Sequence, residues 1–198
     1  MEAYMKDNFP FLSIQKPARS SLQKDFLKSV SSSQMIDWDF VMLLWNLPER
    51  EFQYLALDYL VLMKKKFQKK DLKNLKQLIV KKSWWDTVDL IASNLVAAIC
   101  TTFPEMIDCD VLTWAESDNL WLRRTAILFQ LKYKEATDTE LLARIILKNN
   151  HSKEFFINKA VGWALREYLK TNREWVKTFI DKQPLQALSV REGSKYLD

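Results

Sequence analysis

Four alanines recur at a nearly constant period: Ala56, Ala92, Ala126 and Ala160 are separated by 36, 34 and 34 residues. Each keeps the same company. Four residues earlier stand Phe52, Val88, Leu122 and Phe156, and five residues later Val61, Ala97, Leu131 and Leu165. A small residue lets two helices approach closely while larger apolar neighbours fill the layer, and a period near 35 is the length of one helix pair in a stacked array. Eight residues ahead of each alanine lie Pro48, Trp84, Asp118 and Ser152, of which three are residue types that favour helix starts. The repeat predicts an all-α chain, an α-solenoid of helical-pair repeats.

Scarcity of glycine sharpens this. With only Gly162 and Gly193 in 198 residues, hairpin turns and glycine-rich phosphate loops have almost no raw material, and nucleotide-binding α/β folds are excluded. Pro10, Pro17, Pro48, Pro104 and Pro184 fall between apolar-periodic segments. Helices are expected over 17–30, 35–46, 49–66, 70–82, 84–99, 104–115, 118–134, 138–149, 152–171, 173–181 and 187–197, in a single domain spanning 1–198 without a linker. Hydrophobic content of 48%, with 13% aromatic, supplies a core and argues against disorder. No run of about 18 apolar residues occurs, and the start MEAYMKDNF has neither a basic nor an apolar leader region, so a soluble, cytoplasmic protein without a membrane partner is expected.

Other chemistries drop out by composition. Cys100 and Cys109 lack CxxC spacing and read as two buried free thiols in a reducing compartment. His151 is the single histidine, which removes Ser-His-Asp and Cys-His schemes unless it is itself the base, and removes a histidine-rich metal site. Neither a metal nor a nucleotide cofactor is expected. The net charge of +5 is compatible with a polyanionic partner. Nine lysines crowd the stretch from Lys64 to Lys82 against one acid, Asp71, which reads either as a solvated face or as a phosphate-tracking patch.

Three segments carry candidate chemistry. Trp85 and Asp89 stand four apart, which puts an indole and a carboxylate on one helix face, although Trp84 in the core and Trp85 in packing is the competing reading. Arg123 and Arg124 sit mid-helix among apolar residues, so at least one must leave the core, and an arginine there is suited to phosphate. Gly162 removes bulk beside Trp163 and permits close approach of another helix or of a ligand backbone.

The segments SWWDTVD, SDNLWLRRTAILFQLKYK and SKEFFINKAVGWALREYLKTN resemble the bacterial HEAT-like repeat alkylpurine DNA glycosylases, the AlkD-like family, and the similarity runs from about Tyr4 to the C-terminus. The resemblance implies HEAT-like repeats with a concave DNA-binding face, double-stranded DNA as partner, a monomer, and hydrolysis of the N-glycosidic bond of purines alkylated at N3 or N7. Trp85, Trp163, Asp89 and Arg124 match the two tryptophans, aspartate and arginine that line the family's DNA face. The implied roles are Asp89 stabilising the cationic sugar and orienting water, Trp85 and Trp163 contacting the deoxyribose and the cationic lesion, and Arg124 holding a phosphate. Arg166, Lys170, Lys132, Lys134 and Tyr4 are further expected DNA contacts. The two spacings of 39, from Trp85 to Arg124 and from Arg124 to Trp163, place the set on three successive repeats, but periodicity does not show that they converge.

The resemblance departs at the N-terminus, where the family has about two further helices ahead of the Tyr4-Met5-Lys6 segment, the second forming a wall of the DNA cleft. Two alternatives therefore stand beside the glycosylase: a non-catalytic relative that binds damaged, bent or branched DNA, and a protein-interaction scaffold with Trp85 and Trp163 as peptide anchors.

Overall fold

Helix follows helix along the computed structural model, which describes residues 1–197, and no β-strand occurs among the described residues. None of the described helices is long and apolar enough to cross a membrane. The chain divides into two compact units, Met1–Asn74 and Leu75–Asp198.

The first unit contains α1 (Lys16–Val30), α2 (Trp38–Asn46), α3 (Arg50–Met63), single 3-10 turns at Ala3–Met5 and Lys64–Lys66, and the start of α4 (Asp71–Val80). Asp37 caps α2 by accepting from the Phe40 amide, so the helix begins at Trp38 rather than at 35. Both α1 and α2 pack against α3. Extended chain ahead of α1 is pinned by two buried charges: the Arg50 guanidinium lies 3.9 Å from the Phe9 ring centroid, and the Glu51 carboxylate accepts from the Leu12 and Ile14 amides. Asp71, the single acid of the lysine run, is buried and accepts from the Trp38 indole and the Gln68 amide, while Lys64, Lys65, Lys66, Lys69, Lys70 and Lys73 are exposed.

In the second unit α5 (Trp85–Leu90) runs through a π-helical turn, Ile91–Val96, into α6 (Ala97–Thr102), and a second π-helical turn, Ile107–Val111, leads into α7 (Leu112–Ala115). Then follow α8 (Leu120–Leu128), α9 (Thr139–Asn149), α10 (Phe155–Tyr168), α11 (Arg173–Lys182) and α12 (Ala187–Gly193). Asn119, Asp138 and Asn172 cap α8, α9 and α11 with their side-chain oxygens. The helix expected over 118–134 stops at Leu128 because Gln130 turns the chain towards α9: its side chain donates to the Asp138 carbonyl and accepts from the Asp138 amide.

Within this unit α5 packs on α8, α8 on α10 and α10 on α12. The polar bonds have the repeat's own reach. Arg124 to Asp89 spans 35 residues, Tyr133 to Ala97 36, Asn149 to Ala115 34 and Gln186 to Asn150 36, so each repeat is tied to the next one in sequence. Ala92, Ala126 and Ala160 are buried in these packed helices, and Ala56 is buried in the first unit. Both glycines of the chain serve one junction. A Cβ on Gly162 would stand 2.4 Å from the Glu192 Cβ, a distance only glycine allows, and one on Gly193 would stand a tight 3.2 Å from the Leu165 Cβ, so both glycines let α10 and α12 approach.

The cysteines split. Cys100 is buried and its thiol is pushed up to about 12, first by desolvation and then by Asp110, whereas Cys109 is exposed, contrary to the expectation of two buried thiols. Cys109 belongs to the π-helical turn, of whose five residues only Val111 is buried.

Candidate functional site

Asp89 enters the site because α5 starts at Trp85, with Trp84 extended ahead of it. That start sets Trp85 and Asp89 one turn apart on a single face. Just beyond, the Ser93 hydroxyl donates to the Asp89 carbonyl within the π-helical turn. Such turns interrupt regular helices frequently at functional positions.

Of the arginine pair on α8, Arg124 goes inward and Arg123 stays half-exposed. Burying Arg124 requires a partner. Its Nε donates to Asp89 Oδ1 at 2.7 Å, its Nη2 to Asp89 Oδ2 at 2.8 Å, and its Nη1 to the Phe156 carbonyl, with 5% of Arg124 and 9% of Asp89 left exposed. The side-by-side geometry matches the planar fork of guanidinium to both carboxylate oxygens. Burial raises the Asp89 carboxyl above its ordinary range, opposed by the Arg124 hydrogen bonds and charge. Protonating either oxygen would forfeit one of the two bonds, which is how Arg124 opposes the rise.

An open hollow of about 300 Å³ is lined by Trp85, Asp89, Arg124, Phe155, Phe156, Lys159, Trp163, Arg166 and Glu192. Trp85 and Trp163 are half-buried there. Trp84 takes no part in the lining: it packs with its ring centroid 5.7 Å from that of Trp121 and 5.2 Å from that of Phe156. The wide, shallow form has aromatic faces and charges on one surface, which suits a planar or cationic group laid against it more than a small molecule engulfed by it.

Sequence reasoning reached Trp85, Asp89, Arg124, Trp163 and Arg166, and the structure brings these five together. Three further candidates lie elsewhere in the same unit. Lys132, Lys134 and Lys170 line a separate hollow of about 460 Å³ with Glu167, Tyr168 and Thr171. Within it Lys170 pairs with Glu167 at 2.6 Å, and Lys132 donates to Asn94 at 2.8 Å. Tyr4 is exposed in the first unit.

Glu192 and Lys159 were missed. Glu192 accepts from Lys159 Nζ at 2.9 Å and from Arg166 Nη1 at 2.9 Å. No motif surrounds it, and its one signal was indirect: it neighbours Gly193 and sits where α12 meets Gly162. Among the described residues no group of three or more histidines, cysteines, aspartates or glutamates is placed to hold a metal.

The family model described as DNA alkylation repair enzyme matches residues 1–197. A solved structure described as a predicted DNA alkylation repair enzyme from Enterococcus faecalis is 34% identical, with a TM-score of 0.91 over 100% of this chain and 92% of that one. A crystal structure from Streptococcus mutans UA159 is 19% identical, with a TM-score of 0.66 over 92% of this chain and 99% of that one, and shares the fold. No curated protein matches the chain.

Proposed function

Since the chain belongs to the DNA alkylation repair enzyme family, we propose that it binds double-stranded DNA and hydrolyses the N-glycosidic bond of purines alkylated at N3 or N7. The observation that carries this reading is a carboxylate, Asp89, held in a fixed orientation by a two-point arginine contact in a hollow that also exposes Trp85 and Trp163.

An N3- or N7-alkylated purine carries a positive charge and leaves with the electron pair of its bond to C1′. The sugar is left with oxocarbenium character, which Asp89 stabilises by charge. Water then adds to C1′ and releases its proton to solvent, leaving the neutral alkylated base and a C1′ hydroxyl. The indoles of Trp85 and Trp163 provide faces for the cationic base and the sugar, an attraction of about 0.5 to 2 kcal/mol for each contact. The first task of Arg124 is to orient Asp89. Three of its five N–H groups are committed to Asp89 and Phe156, and two remain for a backbone phosphate.

A second reading has one observation in its favour. Both Asp89 oxygens already accept from Arg124, which weakens the carboxylate as a partner for water and fits a relative that binds damaged, bent or branched DNA without excising the base. Base release from duplex DNA carrying 7-methylguanine separates the two. The first reading expects release that falls about 100-fold or more in Asp89→Asn. Tight binding with release no faster than in Asp89→Asn establishes the second.

A further inference from the structure

Glu192 reaches the hollow from α12, at the far end of the unit's helix row. Its two carboxylate oxygens each take one cation, Oε1 from Lys159 and Oε2 from Arg166, both at 2.9 Å, and Arg191 Nη2 stands farther off at 3.9 Å from Oε1. Two oxygens on one centre, sharing a negative charge and facing an ammonium and a guanidinium, is also how a phosphodiester presents its non-bridging oxygens. We propose that Lys159 and Arg166 form a subsite for a DNA backbone phosphodiester, and that the chain's own Glu192 occupies it as a stand-in that DNA must displace.

This rests on the DNA-binding reading above and adds to it a competitor within the protein. Three features support the assignment. The Glu192 side chain is 17% exposed, and both of its oxygens are engaged by the two cations. The Lys159 hydrogen bond holds its carboxyl below the usual range, against some desolvation and with help from Arg166, so it is charged when it competes. The seat is also built into the fold. Gly162 lets the Glu192 Cβ come to where any other residue would exclude it, and the Ser189 hydroxyl anchors α12 to the Asn158 carbonyl at 3.1 Å.

Glu192 lowers the net charge of the hollow's five ionic groups, Asp89, Arg124, Lys159, Arg166 and Glu192, from +2 to +1. Undamaged duplex then meets a partly neutralised surface, and a phosphate must outcompete a covalently tethered rival. The consequence is weaker general affinity for DNA, with the deficit recovered where the duplex makes its other contacts.

Fluorescence anisotropy on an undamaged duplex over a range of KCl concentrations tests this with the full chain. Glu192→Gln keeps the shape and removes the charge. It should bind about tenfold more tightly at low salt, and the slope of log affinity on log salt should steepen by about 0.9, the signature of one more neutralised phosphate. Adding Glu192→Gln to a Lys159→Met/Arg166→Met double variant should bring no gain. A full gain in that background means that Glu192 only repels DNA at a distance, and overturns the subsite. Unchanged affinity and slope in Glu192→Gln, beside a wild type that binds, also overturns it and leaves the DNA reading standing. If neither wild type nor Glu192→Gln binds duplex at low salt, the DNA reading fails and the subsite falls with it.

Discussion

Helices α8 and α10, with the turns that follow them, line two hollows of the second unit, and these handle charge in opposite ways. In the one lined by Trp85 and Trp163, Arg124 and Asp89 are nearly buried and bonded to each other, and Glu192 bridges Arg166 and Lys159, offsetting one of their two charges. In the other, Lys132, Lys134 and Lys170 stay exposed beyond the C-terminal ends of the helices, with Lys170 and Glu167 an exposed, solvent-screened pair. Buried charge is affordable only when paired, so the Arg124–Asp89 pair of the first hollow is welded into the fold. Exposed ammonium groups keep their water, and lysines near helix C-termini are favoured there whatever their function. The first hollow thus has the fixed geometry that chemistry needs, and the second is suited at most to attraction.

Substitutions can break that contrast. Arg124→Met leaves Asp89 buried and unpaired, and should lower unfolding stability by about 3 to 5 kcal/mol in urea titration. Adding Asp89→Asn should return part of the loss, and a single variant as stable as wild type would remove the distinction between the hollows. Gly162→Ala drives a methyl into Glu192 and should cost about 1 to 3 kcal/mol in the same measurement, because α12 has to shift.

Acidity sharpens the contrast further. Burial raises Asp89, so between the ordinary carboxylate range and its raised value the folded protein holds a proton that the unfolded chain has released. The contribution of Asp89 to stability is therefore greatest below that window and falls as pH rises through it. Base release, which needs the ionised carboxylate, runs the other way and should fall on acidification at a pH above the ordinary aspartate range. Carboxyl-carbon NMR of Asp89 alongside a pH–rate profile checks both signs, and a midpoint at or below that ordinary range would contradict the burial argument. Smallest is the effect of the exposed lysines. Lys132→Ala, Lys134→Ala or Lys170→Ala should each change stability by no more than about 0.5 kcal/mol. Each should flatten the salt dependence of DNA binding by about 0.9 if its ammonium meets a phosphate.

Much of this molecule could be read in advance. The alanine column at 56, 92, 126 and 160 marked positions that are buried, because a small residue repeated at helix-pair spacing has few other uses. All eleven expected helical segments contain helix, with ends moved where a side chain decided them, as Asp37 and Gln130 do. The segment resemblance supplied Trp85, Asp89, Arg124 and Trp163 as a set, and the one-turn spacing of Trp85 and Asp89 already put those two on a common face.

What the sequence could not decide was which charges meet. Periodicity says that Arg123 or Arg124 leaves the core, but not that Arg124 goes in and finds Asp89 35 residues away. Gly162 announced a close approach without naming its partner, and only the packing of α12 made that partner a helix carrying Glu192. Helix formation and burial pattern depend on neighbours within a turn or two, and one chain shows these directly. Ion pairing depends on the rotation and separation of helices a whole repeat apart. Those quantities are set by how side chains of the intervening layers fit together, so the tertiary structure alone turned a list of tryptophans and charges into a site.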